Sequence, residues 1–361
     1  MPYYPDTSVI KSLAHMVRDR RLPRETIPRL SHLVAGTNVE AVNVVLEGDI
    51  LRDYRILDIA DALKIKDPDA AKIAEVLQVE EGERVQSGQE LARRGKGRRG
   101  KVLLAPAAGQ VVRIHEEHIV LQISERSVEV QAKIPGEIEK VESHLVRVAG
   151  NGAIMQGAWG NGKFCYEAFR FLPDDGFVGL SKLDVRISEY RGVVLISPVP
   201  INKGDLLVAQ QQEAAGVVAP SMASNLREFA MGLTFPVLLT EGFGQKRPTA
   251  LIYNLLRDNM GRQAAFDAVT PAPWSDERPE IMIPLPSGGM TPPTPSLDRA
   301  LAVGAQVRIT RAPWDGFIGD VVELPETPQV VGNGLRVPSA KVRLPGGRIG
   351  LVPLANLELL G

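Results

Sequence analysis

GQELARRGKGRRGKVLLAPAAG, residues 88–109, places six basic residues in the nine positions 93–101 of a chain whose 42 lysines and arginines almost cancel its 43 aspartates and glutamates. Three readings of this stretch imply three kinds of protein: a phosphate cradle, a nucleic-acid contact, or a hairpin built around a modifiable lysine. The phosphate reading starts from GKGRRGKV, residues 95–102, which approaches the pattern G-x-x-x-x-G-K-[ST]. Two of its requirements fail. Val102 stands where a hydroxyl would ligate magnesium, and the following LLAP reads as a strand where the mechanism needs a helix N-terminus.

The flanking turns say more. Gly82, Val85, Gly88-Gln89 and Leu91-Ala92 form one glycine-punctuated turn, Ala105-Pro106, Gly109 and Val111 a second, and AKIPGEIEKV (132–141) echoes them. Short β-branched runs broken by glycine fit a chain of hairpins. Over residues 76–125 the pattern resembles the barrel-sandwich hybrid family, which includes biotinyl and lipoyl carrier domains. In that family the modified lysine lies midway between the two turns. Here the midpoint is Arg98, whose guanidinium stays protonated and is no acyl acceptor. The resemblance therefore implies the fold without the carrier chemistry. What remains is a basic tip of Arg93, Arg94, Lys96, Arg98, Arg99 and Lys101, read either as phosphate contacts sensitive to salt or as a solvated turn that keeps a sheet edge soluble.

Bulk properties set the frame. A chain of 361 residues exceeds one ordinary core and is expected to divide into domains. The balanced charge excludes a global field toward nucleic acid, so such binding would rest on local patches. The one cysteine, Cys165, excludes a disulfide within the chain and any zinc or iron–sulfur site of several cysteines from this chain alone. Neither a secretory leader nor eighteen successive apolar residues occur, which predicts a cytoplasmic protein with no membrane contact. With 34 glycines, 27 prolines and 5% aromatics, short strands and tight turns are favoured over long helices and base-stacking surfaces.

The expected fold is multidomain α+β. Residues 1–75 read as mainly helical: DTSVIKSLAHMVRDRR carries Val9, Ile10, Leu13, Met16 and Val17 at helical spacing, while VEAVNVVLEG fits either strand or helix. YRILDIADALKI and DPDAAKIAEVLQ suggest two short helices. Residues 76–180 form the barrel-sandwich-like β region. Residues 181–270, with the apolar runs GVVLISP, AGVVAP and FPVLLTEGFG alternating with helical patterns, predict a small three-layer α/β domain. Residues 271–299 read as a Pro-rich linker. Residues 300–361 predict five short strands and an SH3-like β-barrel.

The last module carries a second resemblance. In VRITRAPWDGFIGDVVEL, residues 307–324, Val307, Ile309, Pro313, Gly316, Gly319 and Val321 match the KOW motif of NusG-type elongation factors and several ribosomal proteins. Ala312 and Asp320 depart from it, at a turn glycine and at a frequently basic position. The resemblance implies an RNA or protein partner, with RNA polymerase or the ribosome as candidates. It makes Trp314, Gly316 and Gly319 candidate partner contacts, with Trp314 either an exposed anchor or a lid on the barrel's end.

Chemistry points elsewhere. TEGFGQKRP, residues 240–248, follows the last apolar run, where open parallel sheets bind ligands. Glu241 is a candidate acid or base, and Gly242 with Gly244 would let backbone amides approach a ligand; the same pattern also fits an ordinary turn with Ser221 or Ser224 capping a helix. His115 and His118, in HEEH, are expected on opposite faces of a strand-like hairpin, and His15, His32 and His144 are isolated, so neither a metal nor a cofactor is expected. The leading expectation is a non-catalytic binding or scaffold protein. A ligand-binding or enzymatic α/β domain and a structural assembly module remain open beside it.

Overall fold

The computed structural model describes residues 3–29, 32–95, 100–174, 176–178, 190–272, 277–296 and 299–361, without the side chains of 51–52 and 124–126. The architecture is β-rich, 45% strand against 14% helix, with several sheets and no closed barrel among the described residues. Among the described residues no helix is long and apolar enough to cross a membrane.

An eleven-stranded sheet forms the centre. Its order runs from Trp159–Gly160 through Val237–Phe243, Gly216–Met222, Val194–Ile196, Lys163–Phe171, Gln263–Ala268, Glu280–Pro284, Leu145–Gln156 and Gly136–Val141 to Asn38–Val39, with Ile10–Arg21 also paired to Leu145–Gln156. The four strands from Lys163–Phe171 to Val237–Phe243 are mutually parallel. The runs of Val194–Ile196, Gly216–Met222 and Val237–Phe243 are continuously buried because both faces are covered. Leu195, Val217, Ala219, Val237 and Leu239 pack with Leu206 and Ala209 of the helix Lys203–Gln211 and Ala230 of the helix Arg227–Met231. Val194, Ile196, Val218 and Leu238 pack against Ile252, Leu255 and Leu256 of the helix Ala250–Asp258. Alternation along each strand thus feeds two cores.

The N-terminal residues correct the helical expectation. Ile10–Arg21 is a strand, antiparallel to Leu145–Gln156. Ala14 and Met16 are buried, and Arg18 and Arg20 continue the same face inward on ion pairs with Glu280 and Asp267. Those two arginines hid a period of two from an apolar count. Val44–Asp58 is likewise a strand. Among the described residues of this region, only Ile59–Leu63, capped by Asp58, and Ala70–Val76, capped by Asp69, are helical. Further on, Gln263–Ala268 and Glu280–Pro284 are strands where helix and linker were expected. Glu280–Pro284 is a short apolar run whose ladder to Leu145–Gln156 offsets its proline flanks.

A five-stranded sheet orders Thr26–Pro28, Val44–Asp58, His118–Gln131, Gly109–His115 and Arg84–Val85. Here the two glycine turns singled out in the sequence meet: the Gly82 N–H donates to the Val111 carbonyl at 2.7 Å, and the Gly88 N–H to the Ala105 carbonyl at 2.8 Å. Glu90–Arg94 pairs with Lys101–Leu104 as the hairpin around the basic tip. The C-terminal strands Gln306–Ile309, Ile318–Glu323, Ser339–Arg343, Ile349–Pro353 and Leu357–Leu360 join Thr7–Ser8 in a six-stranded sheet. Thr7–Ser8 runs parallel to Leu357–Leu360, so the N-terminus is part of the C-terminal sheet. This sheet is open, with Thr7–Ser8 and Ile349–Pro353 at its edges.

Candidate functional site

A cleft of about 940 Å³ opens where the carboxyl end of the parallel strands meets the six-stranded sheet. It is lined by residues 4–7, by 156–158, by Glu241 and Lys246, by Glu277 and Arg278, and by parts of 308–315 and 355–358. Each contribution follows from local folding. Glu241 lies near the carboxyl end of Val237–Phe243, where Gly242 and Gly244 take φ of +88° and +118° and turn the chain toward the helix at Ala250. Left-handed backbone of this kind is accessible to glycine at little cost. The Gly244 N–H donates to the Met222 carbonyl at 2.9 Å, so this amide closes the turn. Ser221 Oγ accepts from the Lys246 N–H at 2.9 Å and donates to the Lys246 carbonyl at 3.0 Å, which pins the same loop; Ser221 is a loop clamp here and not a helix cap.

The floor of the cleft is a buried ion network. Arg308 and Glu358 are cross-strand partners, with Nε donating to Oε2 at 2.7 Å. Arg308 Nη1 also reaches Glu241 Oε2 at 3.0 Å, and Glu241 Oε1 accepts the Thr249 N–H at 3.1 Å. Arg278 donates to Glu358 at 2.9 Å and to Ser8 Oγ at 3.1 Å, and the Ser8 hydroxyl donates to Glu358. Arg308 and both carboxylates are almost fully buried.

The two acids respond oppositely to this setting. For Glu241, burial is the largest influence and raises its pKa, with Arg308 opposing and the Glu358 charge adding to the rise. Burial also acts most strongly on Glu358, but Arg308, the Ser8 hydroxyl and Arg278 together hold its pKa below the usual carboxylate range. Glu358 has two guanidiniums and a hydroxyl; Glu241 shares one guanidinium. Sequence reasoning found Glu241 and missed Arg278, Arg308, Glu358 and Ser8. The usable signal was a lone charge inside each of two apolar strands, VRI and LEL.

A second buried cluster lies across the central sheet. Arg18 grips Glu280 through Nε at 2.9 Å and Nη2 at 2.6 Å, Lys133 meets Asp267 at 2.7 Å, and Arg20 donates to the Ala132 carbonyl at 2.7 Å. Burial is the strongest influence on Glu280, yet Arg18, Arg20 and Lys133 together bring its pKa below the ordinary value.

The other sequence candidates do not line the cleft. In the basic hairpin, Arg93 bonds Glu90 through Nε at 2.7 Å, and Arg94 donates to the Leu63 and Lys64 carbonyls at the end of the helix Ile59–Leu63. Lys101 is exposed, and Lys96, Arg98 and Arg99 lie outside the described residues. Trp314 is half-buried on the core of the six-stranded sheet, against Gly350, where a Cβ would sit 3.0 Å from the indole. Gly316 has φ of +81°, and a Cβ on Gly319 would meet the Arg343 carbonyl oxygen at 2.3 Å, so both answer to backbone geometry. His115 and His118 correct the expectation of opposite faces. They are direct cross-strand partners across a two-residue turn and project from one face of the sheet.

No protein-family model and no curated protein matches this sequence.

Proposed function

We propose that the chain is a non-catalytic binding protein whose site is the cleft between the parallel strands and the six-stranded sheet, and that its ligand is polar with an anionic group. The observation that carries this reading is the engagement of the cleft's buried charges. Both Glu241 oxygens are occupied, by Arg308 and by the Thr249 N–H, so the one raised carboxyl in the cleft is held and not poised to exchange a proton. Lys246 pairs with Asp315 at 3.7 Å, and Arg278 with Glu358. Arg311 is exposed at the rim without an ion pair among the described residues, which makes it the cation open to a ligand. Ligands of open α/β sheets bind outside the carboxyl ends of the strands, which is where this cleft lies.

The finer fold reading belongs to the same proposal. The meeting of the Gly82 and Ala105 turns supports a barrel-sandwich-like region, the two-faced packing of the parallel strands supports a three-layer α/β unit, and the Gln306–Ile309 to Ile318–Glu323 hairpin supports a KOW-like one. The RNA polymerase or ribosome partner rests on that resemblance alone, since Arg93 and Arg94 are engaged internally and Arg308 is buried.

Calorimetric titration with citrate, pyrophosphate and ATP tests the ligand class. At least one probe should bind, and Arg311→Glu should weaken it tenfold or more; uniform silence, or affinity indifferent to the reversal, would overturn the reading.

A further inference from the structure

We propose that the end of the five-stranded sheet at residues 115–118 binds a divalent first-row metal ion, zinc being the type, through Asp58, Glu117 and His118. One ligand atom from each of these residues lies within 4.8 Å of the other two. A tetrahedral ion holding nitrogen and oxygen donors at about 2.0–2.2 Å spaces them by about 3.3–3.6 Å, so modest side-chain rotations close the site.

Backbone pairing brings the donors together. His118 is the direct antiparallel partner of Asp58 on one side and of His115 on the other. Directly opposed residues project from the same face, so Asp58, His118 and His115 form a row across three adjacent strands. Glu117 enters from the turn, where its carbonyl accepts the Ile59 N–H at 2.8 Å and ties the turn to the strand end bearing Asp58. Asp58 is itself held, because Oδ1 accepts the Asp61 N–H at 2.8 Å as the cap of the helix Ile59–Leu63. Three donors are thus fixed by a register, a turn clamp and a helix cap.

The chemistry selects the ion. Among the described residues no lysine or arginine pairs with Asp58, Glu117 or His118, so two carboxylates stand close together without a compensating cation. Oxygen donors alone would suit magnesium or calcium; an imidazole beside two carboxylates shifts preference to zinc and its neighbours. His115, on the same face, stands where a fourth donor would come from, and the site is reached from solvent because Asp58 and His115 are exposed.

The test is calorimetric titration of the chelator-stripped full chain with ZnCl2, and separately with MgCl2, for the unaltered protein and for His118→Ala, Glu117→Gln and Asp58→Asn. Asparagine retains the helix cap, and all three positions are at or near the surface, so far-UV circular dichroism should be unchanged. We expect one zinc per chain, magnesium at least tenfold weaker, and a tenfold or greater loss of zinc affinity in each variant. Absence of saturable zinc uptake, or a loss below tenfold in His118→Ala or Glu117→Gln, overturns the proposal.

Discussion

Arg308 Nη1 lies 3.0 Å from Glu241 Oε2, so a cation from the six-stranded sheet closes the carboxyl end of a parallel strand 67 residues earlier in the chain. The same guanidinium holds Glu358, and removing it leaves two buried carboxylates facing each other. Breaking a buried pair by deleting one partner costs about 3–5 kcal/mol. Arg308→Ala should therefore lower the urea-unfolding free energy by about that amount, while Glu241→Gln, which keeps the acceptor for the Thr249 N–H, should cost less. Equal stability of Arg308→Ala and the unaltered chain would remove the network from the account.

Acid should act on the two buried clusters with a definite sign. Glu280 and Glu358 have folded-state pKa values below their unfolded values, so the stability they contribute is present above the unfolded value, about 4.3, and is lost as pH falls through the folded ones. Glu241 has a raised pKa and works in the opposite direction, gaining relative stability as it protonates. Thermal unfolding followed from pH 7 to pH 3 should show a falling melting temperature. The fall should be shallower in Glu280→Gln and steeper in Glu241→Gln.

Cys165 should be inert in the native protein. Burial, helped by the Glu167 charge, pushes its thiol up to about 12, so the thiolate is scarce at neutral pH. A disulfide reagent such as DTNB should react with no thiol in the folded chain at pH 8 and with one after denaturation in guanidinium.

Gly319→Ala should disrupt the six-stranded sheet, because the new methyl would lie 2.3 Å from the Arg343 carbonyl oxygen and backbone must move to admit it. Overpacking of this kind costs about 1–3 kcal/mol. Gly346→Ala, with nothing within 4 Å of its Cβ but φ of +79°, isolates the conformational cost alone and should be milder; denaturation midpoints of the two variants separate the effects.

Three of the four parallel strands, Val194–Ile196, Gly216–Met222 and Val237–Phe243, were legible because their apolar runs are continuous, and the helices Lys203–Gln211 and Ala250–Asp258 because their apolar spacing is undisturbed; Lys163–Phe171, with its mixed KFCYEAFRF, was not. Ile10–Arg21 was not, since Arg18 and Arg20 occupy inward positions and their partners Glu280 and Asp267 lie far along the chain. The same limit applies to the cleft. Glu241 stood out beside its glycines, but Arg308 and Glu358 become a site only once the strands Gln306–Ile309 and Leu357–Leu360 lie in register and Thr7–Ser8 brings Ser8 alongside. Pairing across a two-residue turn, invisible to simple alternation, likewise set His115 beside His118.

The central claim is that the cleft takes an anionic ligand at Arg311. Its most direct test is the melting temperature of the full chain across a panel of nucleotides, sugar phosphates and di- and tricarboxylates, in parallel with Arg311→Glu. Saturation at a hundred times the dissociation constant stabilises by about 2.7 kcal/mol, a shift of several degrees. The account predicts such a rise for at least one compound and its loss in the variant. No rise across the panel, or the same rise in both proteins, would contradict it.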